Sequence, residues 1–215
     1  MKTLTPKTCG TIVVLAVVVA LVAALVGQLR DNARTIEMTQ ATIEREHRDA
    51  DTPAALAGPR EHANLPPCPD AGSGPGPAVL RGVVLECASD GFAVDVARAL
   101  AGRRVVLNLW ASWCASCLGE LPAMVEYQRR VGSDVMVVTV HQDENEMAAL
   151  LRLAQLGVRL PTLQDGRRRV AAAFGVANVI PTTVVLRPDG SVAQTLPRAL
   201  VSVDQIAAAV GNDTG

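Results

Sequence analysis

Aromatic side chains are almost missing from this chain: two Trp, two Phe and one Tyr make up 2% of 215 residues. So few rings cannot build a stacking platform for nucleic-acid bases. Neither charge sign dominates, and the formal net charge is −1. That balance excludes a polybasic surface for nucleic acid or for anionic lipid. Histidine is also scarce, with only His47, His62 and His141. A structural zinc site commonly takes four ligands as two close-spaced pairs. Of the five cysteines only Cys114 and Cys117 stand close together, and no histidine lies at ligand spacing from them. No metal is therefore expected. There is no internal repeat.

What the chain has in quantity is small aliphatic residues, and many sit in one block. "TIVVLAVVVALVAALVGQL", Thr11 to Leu29, carries no charge. At about 1.5 Å rise per residue such a run crosses a hydrocarbon core. Lys2 and Lys7 precede it, and the residues that follow are mixed in sign. The positive flank predicts a cytoplasmic N-terminus over residues 1–10, a single transmembrane anchor over 11–29, and export of everything after it. A cleaved signal peptide is the competing reading. Its apolar region would be unusually long, and no Ala-x-Ala site closes it. Cys9 lies before the run, where a lipid-bearing cysteine does not sit, and is read as an inert cytosolic thiol. Residues 30–78 include "DTPAALAGPREHANLPPCPDAGSGPGP", whose density of Pro, Gly and small residues predicts a flexible linker. His47 and His62 fall in that stretch and are expected to be solvated.

From residue 79 to 215 the pattern alternates, as in an α/β domain. "GVVLEC" predicts a strand and "ASDGF" a turn. "VDVARALAG" predicts a short helix ending at Gly102. "RVVLNLW" and "DVMVVTV" are apolar throughout, as strands buried on both faces are. Between them a helix is expected from the cysteine pair to about Arg130. "ENEMAALLRLAQLG" predicts a helix stopped by Gly157. "RRRVAAAFG" predicts another short helix, and "TTVVLRPDGSVAQTL" a hairpin about Pro188-Asp189-Gly190. "SVDQIAAAV" closes the chain as a helix with Ser202 as its N-cap. The expected core is a parallel pair of strands with an antiparallel hairpin beside it.

The motif that carries chemistry is "LNLWASWCASCLGELPAM", residues 107–124. Cys114 and Cys117 follow the end of a buried strand and open a helix. There the free N–H groups and the partial positive charge of the helix end stabilise a thiolate. Cys114, at the very edge, is expected to be the nucleophile, and Cys117, one turn in, the resolving thiol. Such a pair forms and opens a disulfide by exchange with a substrate disulfide.

Together with "VIPTT", this stretch resembles the thioredoxin superfamily, in its membrane-anchored TlpA/ResA branch. The resemblance covers roughly residues 79–211. It implies a mixed central sheet flanked by helices. It also implies a cis proline at Pro181 facing the cysteine pair. The backbone of Ile180 and Thr182, with Trp113, would bind a substrate strand. Pro122 matches the family's helix-kinking proline. Asn108 stands at the buried site where thioredoxin itself has an acid. Glu120 matches the branch's Cys-x-x-Glu-x-Pro pattern and is placed for proton transfer at Cys117, the alternative being a solvated helix carboxylate. Ser116 departs from the pattern, because many relatives have Pro there. His141 is read as a loop residue without function.

The resemblance further implies no cofactor and no nucleic acid. It implies protein disulfide substrates, such as exported proteins or apocytochromes, and a membrane dithiol electron donor in a bacterial cell membrane. The expected activity is that of a thiol–disulfide oxidoreductase acting as a reductase. A disulfide-forming oxidant or isomerase is the alternative. A Sco-like copper-delivery protein is a distant one, since it needs CxxxC and a distal histidine. With Cys114 and Cys117 used in exchange, Cys68 and Cys87 remain in the exported part. They are expected to form a structural disulfide, the alternative being two free thiols.

Overall fold

The computed structural model describes residues 17–30, 32, 51–176 and 179–211. The chain divides into two units, Met1–Arg48 and Asp49–Gly215. In the first, residues 17–30 form helix α1, whose Val18, Leu21, Leu25 and Leu29 are exposed. Among the described residues no helix is long and apolar enough to cross a membrane. Residues 1–16, with Cys9 and the start of the apolar run, and His47 lie outside the described residues.

In the second unit seven strands of the described residues form one sheet. They are β1 (Val84–Cys87), β2 (Ala93–Asp95), β3 (Val105–Trp110), β4 (Met136–His141), β5 (Thr162–Gln164), β6 (Thr182–Leu186) and β7 (Val192–Leu196), in the order β2-β1-β5-β4-β3-β6-β7. β3, β4 and β5 run parallel, and the β1–β2 and β6–β7 hairpins join antiparallel on either side. The parallel core thus has three strands where the sequence predicts two. β5 is only three residues long, between Pro161 and Asp165, too short for its periodicity to show.

Strand alternation explains the core. Every residue of β3 is buried. Val106 and Trp110 face one apolar layer, which holds Val137, Leu121 and Met124. Val105, Leu107 and Leu109 face the other, with Val138, Val140 and Leu85. This is the period of two expected of a strand covered on both faces. The covering helices are α2 (Pro53–Ala63), α3 (Val96–Ala99), α4 (Ala115–Val131), α5 (Glu146–Leu156), α6 (Arg169–Ala173) and α7 (Val203–Gly211). Gly157 ends α5 in the left-handed conformation, φ 65°, as a glycine C-cap does. The N–H of Gln205 donates to Ser202 Oγ at the start of α7.

Residues 51–78 correct the linker expectation. Thr52 caps α2 by accepting from the Ala55 N–H, and Pro53 occupies the first turn, where a missing N–H costs nothing. Leu56, Ala63 and Leu65 are buried in the domain's apolar layer. The glycines that suggest a linker serve close packing instead. A Cβ on Gly76 would lie 2.0 Å from the Ala97 carbonyl oxygen, and the Gly72 N–H donates to Arg98 O.

Candidate active site

The parallel strands set where the chemistry collects. Trp110 is in register with His141, and His141 with Gln164, so β3, β4 and β5 end together. β6 runs antiparallel to β3 with Thr182 opposite Leu109, so its start, preceded by Pro181, lies at the same sheet edge. The chain leaves β3 through Ala111, Ser112 and Trp113 and enters α4 with Cys114 as N-cap.

The N-cap is the site's central device. Cys114 Sγ accepts from the Cys117 N–H at 3.2 Å. The side chain therefore sits where a helix end offers donors and positive potential, which favours a thiolate once the pair is reduced. In this structure Cys114 and Cys117 are disulfide-bonded, with Cα atoms 5.3 Å apart. Cys114 keeps 7% of its surface exposed and Cys117 none. Ser116 Oγ lies 3.4 Å from Cys114 Sγ. Trp113 is 62% exposed, and its indole N–H donates to Asp143 Oδ2 at 3.0 Å. Pro122 stands inside α4 and Ile180–Pro181 is a cis peptide. Thr182 is buried at the start of β6, its hydroxyl donating to Val179 O, while Ile180 is partly buried against the layer that includes Cys114 and Cys117.

Glu120 is fully buried, not a solvated helix carboxylate. It accepts from Asn108 Nδ2 at 2.9 Å, from the Leu200 N–H at 3.0 Å and from Thr183 Oγ1 at 3.2 Å. Burial pushes its carboxyl above the usual range, and the donors from Leu200, Asn108 and Thr183 act against that rise. Asn108 Oδ1 is buried with no hydrogen-bond partner. The acid that thioredoxin carries on the strand is thus replaced by a strand amide bonded to a helix acid.

Cys68 and Cys87 are joined in a second disulfide, with Cα atoms 5.8 Å apart. It fastens the segment after α2 to the end of β1.

His141 is the residue that sequence reasoning places wrongly. It ends β4, is fully buried, and its ring centroid is 5.0 Å from that of Trp110. Its position became legible only through strand register. Asp143 and Gln164, which bond to Trp113 and His141, carried no sequence signal at all.

A mixed sheet with a cysteine pair where its central parallel strand meets a helix, and a cis proline beginning the antiparallel neighbour, defines the thioredoxin class of fold. Residues 69–205 match the Redoxin family, and the chain belongs to it, as a TlpA/ResA-like member of the thioredoxin superfamily. It is similar to the thiol-disulfide oxidoreductase ResA of Bacillus subtilis (strain 168), 33% identical over 98 residues, 45% of this chain and 54% of the relative. It thus spans about half the length of the curated relatives it matches. Among solved structures it resembles MTB DsbF, with a TM-score of 0.56 and 27% identity over 63% of this chain and 97% of that one. A DsbF homologue from Corynebacterium diphtheriae gives a TM-score of 0.54 and 26% identity over 60% and 83% of the two chains.

Proposed function

We propose that this protein is a membrane-tethered, extracytoplasmic thiol–disulfide oxidoreductase that reduces disulfides in exported proteins. One observation carries the reading: the cysteine that caps α4 is the more accessible partner of a disulfide whose other half is fully buried. In the reduced form Cys114 attacks a substrate disulfide. A mixed disulfide forms, and one substrate sulfur leaves as a thiolate. Cys117 then attacks the Cys114 sulfur and releases the second substrate thiolate. The enzyme pair ends oxidised and the substrate has gained two electrons.

Glu120, three residues beyond Cys117 on α4, is the buried group suited to take or return the Cys117 proton. Trp113 and the extended backbone of Ile180 and Thr182 around Pro181 receive the substrate strand. Pro181 contributes no competing N–H there. The likeness to ResA supports exchange chemistry, and a membrane dithiol carrier is the donor that would re-reduce the pair. The uncharged run Thr11–Leu29 is the tether.

The test is capture in intact cells with Cys117→Ala, which stalls the reaction at the mixed disulfide. Exported proteins joined to Cys114 are the expected catch. Absence of any Cys114-linked protein overturns the exchange chemistry, and a catch made up only of cytosolic proteins overturns the location. Equilibration of the wild-type pair with glutathione decides direction. A potential near about −270 mV fits a reductase, and one near about −120 mV makes it an oxidant.

A further inference from the structure

We propose that His141 is a positioning residue that, through Gln164 and Asp143, holds the two residues ahead of the nucleophile in place. This rests on the reading of Cys114 as nucleophile given above. The bonds fix both the tautomer and the direction of the chain. The Ser112 N–H donates to His141 Nε2 at 3.3 Å, so that nitrogen carries no proton. The proton is then on Nδ1, which donates to Gln164 Oε1 at 2.9 Å. The Gln164 amide is oriented in turn, because its Nε2 donates to Asp143 O at 2.7 Å. Asp143 returns to the loop by accepting from the Trp113 indole. Ser112 and Trp113 are therefore both held from the ends of β4 and β5, and the next residue is the Cys114 N-cap.

The clamp needs a neutral ring. A protonated imidazole would turn Nε2 into a donor facing the Ser112 donor, with no acceptor for its proton. Burial favours the neutral form and dominates. Gln164 and the carboxylates of Asp143 and Asp51 favour the charged one. From the neighbouring strand ends the ring is contacted by Trp110 and Gln164.

A helix N-terminus lowers a thiol's pKa only while the sulfur is held at the cap, so loosening Ser112 and Trp113 weakens that effect. The experiment follows alkylation of the reduced full-length chain against pH, mapped to the Cys114 peptide by mass spectrometry. His141→Ala and Gln164→Ala are expected to raise the Cys114 midpoint by about one pH unit, an about tenfold slower reaction below it. His141→Gln, whose amide oxygen can accept the Ser112 N–H, is expected to restore the wild-type midpoint. A folded His141→Ala protein with the wild-type midpoint overturns the proposal. So does a His141→Gln protein as impaired as His141→Ala, since the ring would then only fill space. If His141→Ala does not fold, Gln164→Ala decides by the same criterion. Reduction of a test protein disulfide by the wild type is measured alongside. Its absence would count against the oxidoreductase reading and leave the midpoint comparison standing.

Discussion

At the scale of single residues, the exchange proposed for the cysteine pair makes two side chains testable. Ser116, which replaces the proline of many relatives, puts a hydroxyl 3.4 Å from Cys114 Sγ. When the pair is reduced, that hydroxyl can donate to the thiolate, and a hydrogen bond to a charged group is worth about 1.5–3 kcal/mol. Ser116→Ala removes more stabilisation from the reduced form than from the oxidised one, because a thiolate is a far stronger acceptor than a disulfide sulfur. Its potential is expected to fall by about 30 mV, the equivalent of about 1.4 kcal/mol for two electrons, as read by glutathione equilibration. Glu120 is the second. Burial raises its pKa above the ordinary 4.5, so the folded state holds this proton more tightly than the unfolded chain does. The resulting stabilisation is complete below about 4.5 and is lost as pH rises through the folded value. Glu120→Gln has no such loss. Its urea midpoint is expected to gain on the wild type between pH 4.5 and pH 8. The amide is accommodated because Asn108 can turn over and present its unpartnered Oδ1. Disulfide reduction is expected to slow by about 10²-fold, the lower end of general acid–base contributions. A wild-type rate would remove Glu120 from the proton transfer.

At the scale of elements, α2 is the part that composition conceals. Asp51, just before it, accepts from the backbone N–H groups of Glu146 and Met147 and so caps α5 from a distance in sequence. Arg60 pairs with Glu146 at 2.9 Å, and both side chains are largely buried. Burial raises the Glu146 pKa, and the Arg60 partner lowers it. Removing only the arginine leaves a buried carboxylate uncompensated, which typically costs about 3–5 kcal/mol. Arg60→Met is expected to lower the urea midpoint accordingly, and Arg60→Met with Glu146→Gln to recover most of it. Equal losses in the single and double variants would mean that the cost comes from the missing Arg60 contacts and not from an uncompensated Glu146 carboxylate.

At the scale of the whole molecule, the second disulfide joins the segment that follows α2 to the sheet. Cys68 and Cys87 are 19 residues apart, and closing a loop of that size stabilises by about 3 kcal/mol in the chain-entropy model. The double variant Cys68→Ser, Cys87→Ser is expected to unfold at lower urea by that amount. It should still form the Cys114–Cys117 disulfide, since that pair belongs to α4. Loss of the α4 pair as well would show that the two disulfides are coupled through the fold.

Much of this was determined by the sequence alone. The apolar runs of β3 and β4, the Gly157 stop of α5, and the placement of Cys114 and Cys117 between a buried strand and a helix are local patterns. Period, cap and spacing are written into neighbouring residues, so no long-range knowledge is needed to read them. The tertiary structure decided what depends on distant residues meeting. β5 is too short to show a period and exists as a strand because β1 and β4 pair with it. α2 lacks a strong pattern and is held by Arg60 reaching Glu146. The buried state of Glu120 depends on Asn108, Thr183 and Leu200, which come from three other parts of the chain. His141 stands beside the loop that leads into Cys114 because parallel strands fix Trp110 against His141 and His141 against Gln164. Such a register is set by packing across the sheet and leaves no mark on any single stretch of sequence.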